Sequence, residues 1–381
     1  ICILKKIIMF LYTNHFLNTM KTISILHTGG TLASKVSPKG GVSAQYTAKE
    51  ILDLYPEIKQ LANIKSRLVA NILSENMNFS HYNLLAKEIK REIGKGSDGI
   101  IITHGTDTLH YTSAALAFIL ENLPIPIILV GAQRSSDRGS SDASLNLISA
   151  INFINKTDFA EVAICMHASM EDTHCSILPA LKTKKLHTSR RDAFKSVNAK
   201  PYAFIYHDKG IDLLRKDFRK ANKKSKLNLK LFNPKIKVGI LKSHPNMSSE
   251  EIIFYKNFHG LILEGTGLGH APIEKIDNFT LENSKIFNEL KKLAKKIPVV
   301  MTSQCAFGRI NMNVYTPGRK LQEIGILGNM SDMTSETAFI KLSWLLSNYK
   351  KSEVKDLISE DLRGEISDRT STEFLDDDFN K

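Results

Sequence analysis

The segment "GIIITHGTDTLHYTSAALAFILEN" (99–122) decides the class of fold that the sequence predicts. It begins with an apolar run, 99–104, that is too short for a buried helix and apolar enough for a strand covered on both faces. A helical pattern follows over 107–122, and the polar turn "THGTDT" joins the two. A strand that leads directly into a helix is the unit of a parallel sheet with right-handed crossovers.

The same alternation runs through the first half of the chain. A helical pattern covers 80–94, and Ser80 is its predicted N-cap. Further apolar runs of strand length lie at 22–27, 67–74, 125–131 and 161–167. Because strands and helices alternate, this half is predicted to form a doubly wound parallel sheet.

The character of the sequence changes at a lysine-rich stretch, 209–235, which we interpret as a basic linker. Strand patterns resume beyond it at 236–243, 260–265 and 297–304, separated by helical patterns at 248–258 and 280–295. The sequence therefore predicts an α/β protein with two doubly wound parallel-sheet domains. These are a larger N-terminal domain, 21–208, and a smaller C-terminal domain, 236–381, with an acidic tail.

The first twenty residues are apolar but are interrupted by Lys5 and Lys6, and no small-residue cleavage site follows them. We interpret 1–20 as a disordered or spurious extension and expect Met20 to be the true start. No segment of the chain contains the uninterrupted apolar run of about 20 residues that a membrane helix needs.

Composition places the chain among ordinary globular proteins, with 42% hydrophobic and 24% charged residues in 381. Its four cysteines show no Cys-x-x-Cys pair or zinc spacing, which favours a reducing, cytoplasmic setting and no metal site. The formal net charge of +13 permits an anionic partner. A silent RNA-binding or scaffold protein is therefore one alternative, although no RNA-binding motif accompanies the charge.

Three polar clusters follow predicted strands: "HTGGT" (27–31), "SEN" (74–76) and "THGTDT" (103–108). Ligands of open parallel sheets bind beyond the carboxyl ends of the strands, so these clusters are expected to meet at one site. The spacing in "TGGTLASK" fits neither a dinucleotide fingerprint nor a phosphate loop, which excludes a nucleotide site here. A threonine nucleophile with a lysine from 181–198 fits acyl transfer. The alternative is that these are only turn and capping residues beside a solvated lysine-rich face.

The motifs "TGGTLAS" and "THGTDTLHYTSAAL" together resemble the two signatures of the bacterial-type asparaginase/glutaminase superfamily. The resemblance continues through "NILSENMN", "EGTGLGHAP" and "MTSQCAFGRINMNVY" and covers about residues 21 to 375. Within the superfamily, "VGAQRSSDRGSSDA", "LHTSRRDAFKSVNAKP" and "RGEISDRTSTEF" are similar to the D-subunit family of the archaeal glutamyl-tRNA(Gln) amidotransferase. The resemblance implies an asparaginase-like fold.

The resemblance also implies roles for individual residues. Thr31, the second threonine of "TGGT", is the expected nucleophile that forms an acyl-enzyme. Thr106 supplies a second hydroxyl, Asp107 the acid, and Lys185 a base that acts through Thr106.

The expected substrate-binding residues are Ser74 and Glu75, together with Asp107, which contact the α-carboxylate and α-amino groups. Members of the superfamily carry a lid after the first strand, often with a tyrosine, and Tyr46 is the candidate here.

The activity that the resemblance implies is release of ammonia from glutamine or asparagine. In the D-subunit family this ammonia passes to the E subunit of the amidotransferase, which converts Glu-tRNA(Gln) to Gln-tRNA(Gln) with ATP and Mg. This chain itself is then expected to need no cofactor and to form a homodimer core. That family carries a small domain before its core, where this chain has only residues 1–20, so a stand-alone L-asparaginase is the alternative.

Overall fold

The computed structural model describes residues 20–29, 34–36, 42–44, 50, 53–134, 139–370 and 374. Among these residues, the first domain has the α-helices α1 (Phe79–Gly94), α2 (Leu109–Ile119) and α3 (Ala143–Lys156). Its strands are β1 (Thr22–His27), β2 (Ser34–Val36), β3 (Val42–Ala44), β4 (Asn63–Leu68), β5 (Gly99–Thr103), β6 (Leu120–Glu121), β7 (Ile127–Val130), β8 (Val162–His167), β9 (His174–Pro179), β10 (Thr183–Lys185), β11 (Phe194–Ser196), β12 (Ala203–Tyr206), β13 (Gly210–Leu213) and β14 (Asn228–Leu229).

Eight of these strands form one sheet in the order β13-β12-β9-β8-β7-β5-β1-β4. Strands β4, β1, β5, β7 and β8 are parallel to one another, as the alternation predicts. Strands β9, β12 and β13 add an antiparallel edge that the alternation does not predict. The sheet is therefore mixed, because β8 is followed by a short turn rather than by a crossover helix.

Both faces of the central strands of this sheet are buried. Ile100 and Ile102 of β5 pack into one apolar cluster with α1 and α2. Ile101, which points to the opposite face, packs into a second cluster that contains Leu147 and Ile151 of α3. The alternation of side chains along β5 thus places helices on both faces, and the predicted doubly wound class is confirmed.

Two local predictions are wrong. The N-cap of α1 is Asn78, whose side chain accepts a hydrogen bond from the Ser80 N–H at 3.0 Å. The strand predicted at 67–74 is instead formed by Asn63–Leu68, which is β4. It lies at the sheet edge, half of it is exposed, and it therefore lacks the apolar run by which a buried strand is recognised.

The second domain contains strands β15 (Val238–Lys242), β16 (Gly260–Gly265) and β17 (Val299–Ser303), which form a parallel sheet in that order. Its helices are α4 (Ser249–Ile253), α5 (Leu281–Lys296), α6 (Thr316–Glu323), α7 (Ser335–Asn348) and α8 (Lys351–Leu357). Within the described ranges, no helix is both long and apolar enough to cross a membrane.

Helix α7 joins the two domains. Trp344 on α7 is fully buried, and its ring centroid lies 5.3 Å from that of Phe118 on α2. The lysine-rich stretch 209–235 also packs on the first domain, since it contains β13 at the sheet edge and β14, which pairs with β6. The core is therefore continuous from one domain to the other.

Candidate functional site

The carboxyl ends of β1 and β5 lie side by side, with His27 opposite Thr103. Beyond these ends, Thr28 donates two hydrogen bonds to the Thr103 carbonyl, from its N–H at 3.1 Å and from its hydroxyl at 2.9 Å. Thr28 itself is buried. The turn that begins the "TGGT" motif is therefore fixed against the strand that precedes "THGTDT", as the sheet-edge argument predicts.

Gly29 has a positive φ of +102°, a conformation that favours glycine. A Cβ at this position would lie 2.5 Å from the Ile72 carbonyl oxygen, so the backbone of 70–76 approaches the turn more closely than a side chain allows. The Ile72 N–H also donates to the Thr28 carbonyl at 3.0 Å. The sequence motif thus needs its glycine for contact between two backbone segments.

Ser74 and Glu75 lie in a short 3-10 helix, Ser74–Asn76, at the same edge. Ser74 is buried, and its carbonyl accepts a hydrogen bond from the Thr108 hydroxyl at 2.6 Å. A Cβ on Gly105 would lie 2.9 Å from the Ser74 hydroxyl oxygen. The second and third polar clusters are therefore in direct contact, while the Glu75 side chain remains exposed.

Lys185 connects the two residues of the acid motif. Its Nζ donates a hydrogen bond to Oγ1 of Thr106 at 2.9 Å and another to Oδ1 of Asp107 at 2.8 Å. Thr106 is buried, whereas the Asp107 side chain is 68% exposed and the Lys185 side chain is 10% exposed. A buried hydroxyl, a largely buried ammonium group and an accessible carboxylate are therefore linked by hydrogen bonds.

Lys185 ends β10, which pairs with β11 in a two-stranded sheet next to α2. Two neighbouring lysines fix this sheet to the second domain. Nζ of Lys182 lies 2.7 Å from Oδ1 of Asp332, with both side chains buried, and Nζ of Lys184 lies 2.7 Å from Oε1 of Glu336. The position of Lys185 thus depends on residues from both domains.

Gln133 is a site residue that sequence reasoning does not single out. Its Oε1 accepts a long hydrogen bond of 3.5 Å from the Thr106 hydroxyl. Its N–H donates at 3.0 Å to each carboxylate oxygen of Asp142, which is fully buried and so fixes this loop. Gln133 could have been found from the sequence, because "AQR" directly follows the strand pattern of β7 and therefore lies at the same edge of the sheet.

Three histidines near these turns are neutral because they are buried. Desolvation lowers the pKa of His27, His104 and His110 to about 4 in each case. His104 donates from Nδ1 to the Gly105 carbonyl at 2.6 Å and accepts at Nε2 from Thr112 at 2.9 Å, so its neutral form is fully hydrogen-bonded. This geometry supports a structural role for His104.

Two candidates, Thr31 and Tyr46, lie outside the described residues, as do residues 1–19 of the extension predicted at 1–20. Within the part of the chain that the structure describes, no three His, Cys, Asp or Glu side chains are grouped around a possible metal position. Cys165, Cys175 and Cys305 are free thiols.

The described geometry is suited to proton transfer. A lysine and a buried threonine in hydrogen-bond contact can pass a proton between a reacting group and solvent, provided that a substrate binds within reach. The carboxylate of Asp107 is free on its exposed side to bind a cation such as an α-ammonium group.

Two family models match the chain. The asparaginase N-terminal domain matches residues 22–218, and the glutaminase/asparaginase C-terminal domain matches residues 237–357.

Curated relatives extend this similarity over most of the chain. It is 45% identical over 360 residues to the D subunit of the glutamyl-tRNA(Gln) amidotransferase of Methanococcus maripaludis, a match that covers 93% of this chain and 82% of the relative. It is 43% identical over 356 residues to the protein of the same name from Pyrococcus furiosus, with 92% and 78% covered. Among solved structures, the thermostable L-asparaginase from Thermococcus kodakarensis superposes with a TM-score of 0.79 at 29% identity, covering 91% of this chain and 100% of that one.

Proposed function

Because the chain belongs to the asparaginase family and is a relative of the glutamyl-tRNA(Gln) amidotransferase D subunits, we propose that it is the amidase subunit of such an amidotransferase. It releases ammonia from glutamine or asparagine and supplies this ammonia to a partner subunit. The observation that carries the proposal is the pair of hydrogen bonds from Lys185 to Thr106 and Asp107.

The reaction that we propose proceeds through an acyl-enzyme. The Thr31 hydroxyl oxygen attacks the side-chain carboxamide carbon, and the proton it loses reaches the departing nitrogen through Thr106 and Lys185. Ammonia leaves and an ester remains. Water then attacks the ester by the same proton route in reverse, which releases glutamate or aspartate and restores the Thr31 hydroxyl.

Substrate binding is assigned to Ser74, Glu75 and Asp107. The exposed carboxylates of Glu75 and Asp107 are suited to the α-ammonium group of an amino acid. We assign the α-carboxylate to Ser74, whose side chain lies against Gly105. Carboxylates that bind the α-ammonium group leave the side-chain amide free to reach the reacting threonine.

The proposed partner is the E subunit of the amidotransferase, which binds ATP and Mg and carries out the conversion of Glu-tRNA(Gln) to Gln-tRNA(Gln). This chain then binds no cofactor, forms a homodimer core and acts in the cytoplasm. The support for an amidotransferase partner is the name of relatives that are 43% to 45% identical over more than nine-tenths of this chain.

The second candidate function is that of a stand-alone L-asparaginase. One observation favours it: the chain covers the whole length of the Thermococcus kodakarensis L-asparaginase at a TM-score of 0.79. The two functions share one active site and differ only in the partner.

The test is to measure ammonia release from glutamine and from asparagine by the purified chain, with and without the E subunit, ATP and Glu-tRNA(Gln). The amidotransferase function predicts that the full mixture stimulates release and forms Gln-tRNA(Gln). Rapid asparagine hydrolysis that the mixture leaves unchanged would support the asparaginase instead. Thr31→Ala and Thr106→Ala are expected to abolish release, and activity in Thr31→Ala would refute the nucleophile assignment.

A further inference from the structure

His167, the last residue of β8, is a fully buried histidine whose two ring nitrogens both face oxygen atoms. Nδ1 lies 2.6 Å from Oδ1 of Asn146 on α3. Nε2 lies 3.0 Å from Oδ1 of Asp172, in the turn between β8 and β9. A neutral imidazole donates a hydrogen bond from one nitrogen only, whereas an imidazolium donates from both. The charge of His167 therefore depends on whether both oxygens are acceptors.

The orientation of the Asn146 amide is fixed by its other partners. Its Nδ2 donates to the Gly131 carbonyl at 3.1 Å and to Oδ2 of Asp142 at 3.3 Å. Because a carbonyl oxygen only accepts hydrogen bonds, the amide nitrogen must lie on this side and Oδ1 must face His167. Nδ1 of His167 therefore carries a hydrogen, which it donates to Asn146.

Asp172 is also an acceptor for His167. The Asp172 side chain is 69% exposed, and its Oδ1 accepts a second hydrogen bond, of 2.5 Å, from Nη1 of Arg191. A carboxylate at the surface that is paired with an arginine is ionised, so Nε2 of His167 must carry a hydrogen as well. With hydrogens on both nitrogens, His167 is a buried imidazolium.

The groups around the ring favour this charge. Asp142 at the N-cap of α3, Asp172 and the thiol of Cys175 on β9 all face His167, and Sγ of Cys175 lies 3.9 Å from Nδ1. Burial alone would lower the pKa of His167, but these three groups raise it above its ordinary value. Arg191, the cation of this group, is paired with Asp172.

Asn146 connects His167 to the backbone around Thr106. The Gly131 carbonyl that Asn146 holds belongs to a residue in close contact with Thr106, because a Cβ on Gly131 would lie 2.9 Å from Cγ2 of Thr106. Asn146 also contacts Asp142, the buried carboxylate that fixes the loop after β7. One end of this chain of hydrogen bonds therefore reaches the reacting hydroxyl's own surroundings.

Asp172 connects His167 to the loop that follows Lys185. This loop, 186–193, joins β10 to β11, and its Arg191 donates the hydrogen bond to Asp172. Lys185 is the last residue of β10, so it lies directly before the loop. The other end of the chain of hydrogen bonds therefore reaches the strand pair that carries Lys185.

We propose that His167 is a positioning residue that acts as an imidazolium. Its two hydrogen bonds join Asn146 to Asp172. This link holds Lys185 within hydrogen-bond distance of Thr106, an inference that rests on the proposed amidase function. The positive charge is needed because a neutral ring donates to only one of the two oxygens, and the other contact would then bring two acceptors together.

NMR of the full-length protein, labelled with carbon-13 at histidine Cε1, measures the charge of His167 directly. Its signal is assigned by its absence in His167→Gln or His167→Asn. We expect the chemical shift of an imidazolium at neutral pH and a titration midpoint above that of an ordinary histidine. Asp172→Ala and Asp172→Asn should each lower this midpoint by about one pH unit or more, because the facing carboxylate is lost.

The matched control is Asp217→Ala. Asp217 is 68% exposed and is also paired with an arginine, Arg215, so this variant makes the same change outside the chain of hydrogen bonds. The midpoint of His167 should stay unchanged in it. Because Asp172 and Asp217 are both exposed, their variants are expected to fold.

Ammonia release measures the positioning effect. Asp172→Ala removes the link to the loop, so kcat is expected to fall by about tenfold or more, since small displacements of a reacting group are costly in rate. Asp172→Asn should restore most of kcat, because its amide can accept from Arg191 and donate to a neutral His167. Asp217→Ala should leave kcat unchanged. A lowered midpoint with retained kcat in Asp172→Asn is a pattern that general loss of stability does not produce.

Three results would overturn the proposal: a neutral His167 at neutral pH in the original protein, the same midpoint in Asp172→Ala and Asp217→Ala, or the same kcat in these two variants. The titration needs no substrate. If the original protein released no ammonia, the proposed amidase function would fail, while the titration would still confirm or refute the charged link.

Discussion

Nζ of Lys185 lies 2.9 Å from Oγ1 of Thr106, although 79 positions separate the two residues in the sequence. The contact forms because β10, which pairs with β11 and ends at Lys185, packs against α2, the helix that follows the acid motif. The proton-transfer pair is therefore assembled by the fold itself, as expected of a preorganised catalytic site.

Lys185→Arg tests whether this residue transfers a proton or only supplies charge. Arginine retains the positive charge but does not lose its proton in proteins, so ammonia release is expected to fall by about 10² to 10⁴. Steady-state rates and thermal melting should be measured together, with Lys216→Arg as the exposed control. A rate within about threefold of the unmodified protein would show that charge alone is sufficient.

Gln133→Leu separates activity from stability. The substitution removes the oxygen that accepts from the Thr106 hydroxyl, and it also removes Nε2, a buried nitrogen without a partner among the described residues. We expect kcat to fall by about tenfold while the free energy of unfolding stays the same or rises, since an unpaired buried amide costs about 1 to 3 kcal/mol. Gln322→Leu on the surface is the control. Unchanged kcat would exclude a role for Gln133 in orienting Thr106.

The buried histidines predict how stability depends on pH. Burial lowers the pKa of His27, His104 and His110 to about 4, below the value of about 6.5 in the unfolded chain. Between these values the unfolded state binds more protons, so the free energy of unfolding falls as pH falls from about 6.5 to about 4. At pH 5 the loss is about 2 kcal/mol per histidine.

Urea unfolding at pH 7.5 and pH 5.0 checks this prediction. His104→Gln should lower the free energy of unfolding at pH 7.5. The further decrease in this free energy from pH 7.5 to pH 5.0 should, however, be smaller than in the original protein, by about the contribution of one histidine. If the variant and the original protein lose the same free energy, protonation of His104 does not contribute.

The ion pair between Lys182 and Asp332 predicts a large stability effect. Both side chains are almost fully buried, so Lys182→Met leaves an unpaired buried carboxylate and should lower the free energy of unfolding by about 3 to 5 kcal/mol. The double variant with Asp332→Leu should recover part of this loss. Lys220→Met, which breaks the exposed pair with Asp158, should cost less than about 1 kcal/mol and is the matched control. Equal losses in the two single variants would contradict the prediction.

The parts of the fold that the sequence predicts are those that depend on burial. Strand β5 is recognisable because all five of its residues are buried, and the helix after it follows directly from the pattern. The apolar pattern misplaces strand β4 because this strand lies at an edge, where one face meets solvent. The pattern also misses the antiparallel edge, because strand direction depends on connection length rather than on the order of apolar residues.

The site likewise contains residues whose positions could be predicted from the sequence and one whose position could not. Thr106, Asp107 and Ser74 follow strands, so their proximity could be expected from the topology alone. The contact of Lys185 with Thr106 could not, because it depends on a hairpin whose path is fixed by tertiary ion pairs rather than by local pattern. The role of Thr31 has to be tested by activity measurements, since this residue lies outside the described ranges.

The two ion pairs that anchor the Lys185 hairpin also limit how the chain can be recombined. Lys182 and Lys184 belong to the first domain, while Asp332 and Glu336 belong to the second. A hybrid that joins one domain to the matching domain of a homologue must inherit lysines and acids as complementary sets. Otherwise the hybrid can fold as two intact halves and still misplace the lysine on which its chemistry depends.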